Sequence, residues 1–186
     1  MIFEEKIPVQ YRTAFLEKVV EISEKLGVNP NWLMAIMNWE SAGTFSASVK
    51  NPYSGATGLI QFMPATARDL GTTVEALASM SEIQQLDWVY KYYVRYKSKL
   101  KSYTDLYLTT FYPVAVGKPS DYVLGNSEFW IQKIAEQNPA FDLNKDRKIT
   151  KGEIEEFMLN KIPSEWFDVF KKKALKHCPH CCLPLY

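Results

Sequence analysis

The chain has 186 residues, 47% hydrophobic and 23% charged, with a formal net charge of +1. That length suits one substantial domain, or one domain with a small appendage, and the balanced charge excludes a global field that would steer it to nucleic acid or anionic lipid. No apolar run approaches the roughly 20 residues of a membrane span, and all three cysteines fall within the last nine residues, so the body carries no disulfide framework.

Met1-Ile-Phe-Glu-Glu-Lys6 has neither the basic nor the apolar region of a secretory signal. The expectation is synthesis in the cytoplasm; a substrate outside the membrane then requires separate delivery. Tyr11 to Leu26 reads as an amphipathic helix, with Phe15, Val19, Ile22 and Leu26 on one stripe and Gly27 ending it. Asn29-Pro30 is a helix start, cap followed by a first-turn proline. The helix runs through Trp32 and Glu40 and stops near Gly43. Ser46 to Gly58, with Asn51-Pro52-Tyr53-Ser54-Gly55, is loop or a short irregular hairpin. Pro64 to Leu70 is a short helix ended by Gly71, and Thr73 caps another through Ala78. Ser81 begins a long one, Ile83 to about Lys99, with Ile83, Leu86, Val89, Tyr90 and Tyr93 inward. Tyr103 to Tyr112 is helical until Pro113; Ser127 caps Glu128 to Gln137; Thr150 to Asn160 and Ser164 to Leu175 complete the set. No segment alternates with period two, so the expected fold class is all-α. A boundary is expected near Gly125-Asn126, giving a body of 1–125, a helical appendage of 126–176 and a tail of 177–186.

Glu40 stands out. Met37, Ile36 and Leu33 precede it at helical spacing, which puts the carboxyl on an apolar face beside Trp39. Desolvation there disfavours the anion and suits a general acid. The alternative is that Glu40 frays outward, although negative charge at a helix C-terminus opposes the helix dipole. No second acid follows until Asp69, whereas two-carboxylate glycosidases flank the scissile bond with a pair. One acid suffices where the substrate supplies its own nucleophile. The loop instead offers Ser41, Asn51, Ser54, Gln61 and the backbone at Gly55 and Gly58, whose glycines allow close approach or simply turn the chain. Aromatics reach 14%, which suits a sugar-binding groove or a tyrosine-rich core equally.

Glu40-Ser41 with Phe45, then Gly55-Ala-Thr-Gly-Leu-Ile-Gln61, Met63-Pro-Ala-Thr-Ala67 and Leu70-Gly71, resemble the soluble lytic transglycosylase family over about Leu16 to Tyr112. The resemblance implies a lysozyme-like helical domain acting on peptidoglycan. It implies cleavage of the β-1,4 bond between N-acetylmuramic acid and N-acetylglucosamine, with the muramoyl C6 hydroxyl attacking its own anomeric carbon. Glu40 is then acid and base in turn. Ser41 positions the acid or the muramoyl group, Gln61 holds sugar substituents, and Tyr53 and Phe62 are groove-wall candidates. One motif departs from the family's Ala-Tyr-Asn-x-Gly: here Phe111-Tyr-Pro-Val-Ala-Val-Gly117 keeps Tyr112, expected to hydrogen-bond near Glu40, but has Pro113 for Asn. A hydrolytic, lysozyme-like outcome or a non-cutting peptidoglycan-binding module are the alternatives. A phage-type route, through a virion or lysis machinery, fits the missing signal.

Asp142-Leu-Asn-Lys-Asp-Arg-Lys-Ile-Thr-Lys-Gly-Glu153 matches an EF-hand loop for structural Ca2+. Asp142, Asn144 and Asp146 take the first, third and fifth positions, the Lys148 carbonyl the seventh, Thr150 the ninth and Glu153 the last. Arg147 stands where glycine is usual, and Pro139 interrupts the entering helix. Thr150-x-x-Glu153 is also a capping box, which needs no metal. In the tail, His177, Cys178, His180, Cys181 and Cys182 are crowded for one zinc ion, and a free, oxidisable tail is the simpler reading.

Overall fold

The structure is a computed structural model, and it describes residues 1–170. It is all-α: nine α-helices and several 3-10 turns among the described residues, with only isolated antiparallel bridges between extended segments. The helices are α1 (Arg12–Leu26), α2 (Pro30–Glu40), α3 (Pro64–Asp69), α4 (Val74–Ala78), α5 (Glu82–Tyr93), α6 (Tyr103–Phe111), α7 (Glu128–Gln137), α8 (Lys151–Leu159) and α9 (Phe167–Phe170). No helix among these is long and apolar enough to cross a membrane.

Local capping chemistry places most of the starts. The Asn29 side chain accepts from the Asn31 N–H ahead of Pro30, Thr73 accepts from Ala76, and Ser127 from Trp130. Ser81 with Gln84, Ser102 with Asp105 and Thr150 with Glu153 form complete capping boxes. The expected helix from Ile83 to Lys99 is α only to Tyr93; Val94–Lys99 tightens into 3-10 turns, a frequent way for a helix to end.

The described chain divides into two compact units, Met1–Lys97 and the described part of Ser98–Lys171. This division by packing falls earlier than the Gly125-Asn126 break.

In the first unit α1 packs on α2 and α5 through the expected stripe of Phe15, Val19, Ile22 and Leu26. At its edge Lys18 bonds Asp87 at 2.8 Å, and that hydrogen bond raises the Lys18 pKa. On α5 the inward face is Gln85, Leu86, Val89, Tyr92 and Tyr93. Ile83 and Tyr90, expected inward, are only half-buried; the helix is turned so that a glutamine faces the core.

In the second unit α6 packs on α8. Their link is an ion pair between Asp105 and Lys151, 2.7 Å apart, with side chains 0% and 8% exposed. Every oxygen of Asp105 is used: Oδ1 accepts from Lys151 Nζ and the Gly117 N–H, Oδ2 from the Lys101 and Ser102 N–H groups. Lys151 Nζ also donates to the Lys118 carbonyl at 2.7 Å. The segment between Gly117 and Leu124 is thereby pinned, with further bonds from Gly152 N–H to Ser120 and from Leu124 N–H to Ile149. This network explains why α6 groups with the C-terminal helices rather than with the helices before it.

Candidate functional site

Glu40 is the last residue of α2. Pro30–Met37 are buried without a break, so this helix has no single apolar face; it is surrounded by core. Only Asn38, Trp39 and Glu40 reach towards solvent, Asn38 and Glu40 half-buried and Trp39 40% exposed. The environment of the carboxyl is thus set by depth along the helix axis, a correction to the amphipathic expectation.

The chain leaves Glu40 through a turn held by Ser41. Its N–H bonds the Met37 carbonyl, and its hydroxyl accepts the Phe45 N–H at 2.9 Å. Ser41 and Phe45 are both 0% exposed. Phe45 sits at a φ of 49° and packs edge-on to Phe15, ring centres 6.2 Å apart. The serine therefore acts on the backbone around Glu40 rather than facing solvent.

Residues 47–62 form the irregular hairpin, with bridges Lys50 to Thr57 and Thr57 to Phe62. Beneath it lies Gln85, 0% exposed. Its Oε1 accepts the Leu59 N–H at 2.7 Å, and its Nε2 donates to the carbonyls of Ala47 and Leu77 at 3.0 and 2.9 Å. Gly58 lies directly over this carboxamide. A Cβ there would stand 2.2 Å from Gln85 Oε1, and the backbone φ of +85° independently favours glycine. Gln85 is absent from the residues that sequence patterning picks out; its one signal is a polar side chain one turn before Val89 on the inward stripe.

The structure distributes the other site candidates unevenly. Asn51 Oδ1 accepts the N–H groups of Tyr53 and Ser54, and this turn leaves Tyr53 97% exposed. Gln61 adopts a φ of 51° and directs its Nε2 to the carbonyls of Val49 and Gly58, inside the loop. Phe62, expected at a groove wall, is 2% exposed and packs edge-on to Tyr92, so it belongs to the core under the loop. Tyr112 lies in the second unit, where it caps the C-terminal end of α6 at φ −150° and ψ 79°.

The acidic loop is also in the second unit. Asp142 accepts the N–H groups of Asp146 and Arg147, Asn144 accepts that of Asp146, and Asp146 that of Lys148. Lys145 and Arg147 take left-handed conformations, so the turn forms without glycine. Ile149 is fully buried. Glu153 Oε2 accepts from the Thr150 N–H and hydroxyl, forming the capping box, and Oε1 accepts the Leu143 N–H. Among the described residues no three His, Cys, Asp or Glu side chains come together as a metal-holding group. The Cys178–Cys182 tail lies outside the described residues.

Residues 18–91 match the family described as "Transglycosylase SLT domain". That segment is similar to a transglycosylase SLT domain. The matched segment holds Glu40, the Ser41 turn, the loop to Phe62 and Gln85. It associates the chain with the lytic transglycosylase type of peptidoglycan cleavage, and the helical architecture agrees with a lysozyme-like SLT fold. No curated protein and no solved structure matches the chain.

Replacing Gln85 by Ala leaves the Leu59 N–H and the Ala47 and Leu77 carbonyls without their buried partner. The expected cost is roughly 3 kcal/mol or more, with Gly58→Ala similarly destabilising through the collision with the carboxamide. Urea unfolding of both variants checks this; stabilities within about 0.5 kcal/mol of wild type, the range of ordinary surface changes, contradict it.

Proposed function

We propose that the chain is a peptidoglycan lytic transglycosylase that cleaves the MurNAc–GlcNAc β-1,4 bond with formation of 1,6-anhydroMurNAc. Glu40 is the single acid and base. It protonates the glycosidic oxygen as that bond breaks. It then takes the proton of the muramoyl C6 hydroxyl as the C6 oxygen bonds to C1, so no water is consumed. The observation that carries this is the position of Glu40 inside the SLT match, at the solvent-reaching end of a helix buried along the rest of its length. The loop after it presents backbone and amide groups but no second carboxylate; the next acid, Asp69, ends α3 and is exposed. A half-buried carboxyl at the edge of an apolar core is placed for proton transfer. Ser41 fixes the backbone around it, and Gln61 and Tyr53 serve the glycan from the loop. Pro113, which begins a 3-10 turn where the family pattern has Asn, favours as a second reading a hydrolytic muramidase using the same acid.

Structural calcium in the loop of residues 142–153 is part of the proposal. The side chains of Asp142, Asn144, Asp146 and Glu153, the Lys148 carbonyl and Thr150 would hold it. The supporting features are an all-oxygen donor set, which a hard cation needs, the left-handed turn at Arg147 and the buried Ile149. Calcium would add fixed positive charge to a loop otherwise closed on its own N–H groups.

Glu40→Gln is expected to lower muropeptide release from purified cell walls by roughly 10²–10⁴-fold, the usual worth of a general acid, while the protein still sediments with the walls. Undiminished release from the variant contradicts the assignment of Glu40; wall binding without release by the wild type leaves a non-cutting module. For the metal, calcium is expected to raise the melting temperature by roughly 5 °C over the chelated protein, as a ligand bound only by the folded state does. An unchanged melting temperature, with no calcium found by elemental analysis, contradicts the site.

A further inference from the structure

We propose that Lys6 is a positioning residue for Glu40, clamping the turn that carries the acid and bringing to the end of α2 the positive charge that the helix itself lacks; this rests on reading Glu40 as the acid and base of the site. Residues 1–7 precede the segment that matches the SLT family, which begins at residue 18. They run along α2 from its first turn to its last. The Ile2 N–H donates to Asn31 Oδ1 at 3.0 Å, and Lys6 Nζ donates to Asn38 Oδ1 at 2.7 Å; these two asparagines stand roughly 10 Å apart along the helix axis. The strap is anchored on both sides of Lys6. Ile2 and Ile7 are buried, and Arg12 donates to the carbonyls of Ile7 and Glu5 at 2.9 and 3.2 Å. Phe3 turns the chain in a left-handed conformation, φ 60°, and its ring centre lies 4.9 Å from the Lys6 ammonium. Lys6 itself is exposed, but its charge is directed by these contacts to one place.

That place is the turn around Glu40. The Gly43 N–H bonds the Asn38 carbonyl at 2.7 Å, closing a loop over Trp39, Glu40, Ser41 and Ala42. Lys6 Nζ meets both ends of it: Asn38 through the hydrogen bond, and Gly43 so closely that a Cβ there would stand 3.1 Å from the ammonium. The turn needs holding. Ala42 and Phe45 sit at φ 52° and 49° without being glycine, and such strain persists only where the surroundings over-determine it. Ser41 secures the inner side through the Phe45 N–H; Lys6 secures the outer side. The charge matters as well. A helix C-terminus carries partial negative charge and favours a cation, yet α2 has no basic residue in its last turn and ends on a carboxyl group. Lys6 supplies that cation from a different segment. The hairpin of residues 47–62 is seated separately, through Gln85, so Lys6 acts on the acid rather than on the loop expected to hold the glycan.

Lys6→Met, Lys6→Arg and the wild type are compared for muropeptide release from soluble glycan strands, at a temperature well below the thermal melts of all three. Lys6→Met is expected to lower kcat by roughly tenfold, a modest part of what a misplaced catalytic group costs, with KM unchanged. Lys6→Arg, which keeps the charge and the donors, restores most of the loss. A kcat equal to wild type in Lys6→Met, with only the melting temperature lowered, overturns the positioning role, as does a fall in Lys6→Arg equal to that in Lys6→Met. Residue-resolved amide exchange reads the clamp without activity: the Gly43 N–H is expected to exchange several-fold faster in Lys6→Met, with the Leu59 N–H under the hairpin unaffected. Unchanged exchange at Gly43 overturns the clamp. If the wild type releases no muropeptides but Gly43 exchange still rises in Lys6→Met, the catalytic reading fails and the clamp on the turn stands.

Discussion

The Gln85 carboxamide ties three separate backbone segments to one helix. It holds Ala47 on the way into the loop, Leu59 at its return and Leu77 at the end of α4. All of these groups are buried, so the arrangement is close to all-or-none: a partner lost from any of them leaves a polar group dry and unsatisfied. Gly58 is the counterpart of this constraint. The loop lies so close to the carboxamide that no side chain fits between them. The loop that follows Glu40 is therefore not a flexible flap held by surface bonds. It is seated on the core through a polar peg, with Phe62 locked against Tyr92 below it.

Seating the loop this way matters for the proposed chemistry, in which Glu40 is the one carboxylate used. An enzyme with a single carboxylate depends on the substrate's own groups for the rest of the reaction, so orientation of the sugar carries much of the burden. Ser41 and Gln85 have complementary parts in this. The serine fixes the turn immediately after the acid through Phe45, and the glutamine fixes the loop that follows. Gly55, Gly58 and the amide groups between them are then presented from a backbone that the core defines.

Helix starts were legible in the sequence because capping is local. Asn29, Thr73, Ser81, Ser127 and Thr150 each bond an N–H two or three residues on, and a reader of the chain sees both partners at once. The same holds for the acid at the end of α2 and for the Gly-Ala-Thr-Gly-Leu-Ile-Gln stretch. What escaped is non-local. Gln85 meets Ala47 across 38 positions and Asp105 meets Lys151 across 46. No periodicity announces either pairing, and both residues look like ordinary polar positions on helices. The unexpected grouping of α6 with the C-terminal helices follows from the second pair, and the turned face of α5 from the first. Phe62 and Tyr53 make a similar point: two aromatics nine positions apart in the same loop end at 2% and 97% exposure, because the Asx turn at Asn51 throws one outward while the bridge at Thr57 draws the other in.

The central claim is that Glu40 serves twice, as acid and then as base, with the muramoyl C6 hydroxyl in place of water. The products record this directly. Mass spectrometry of glycan fragments released from purified peptidoglycan distinguishes a 1,6-anhydro end from a reducing end by the mass of one water. The account predicts anhydro ends; fragments carrying only reducing ends would contradict it.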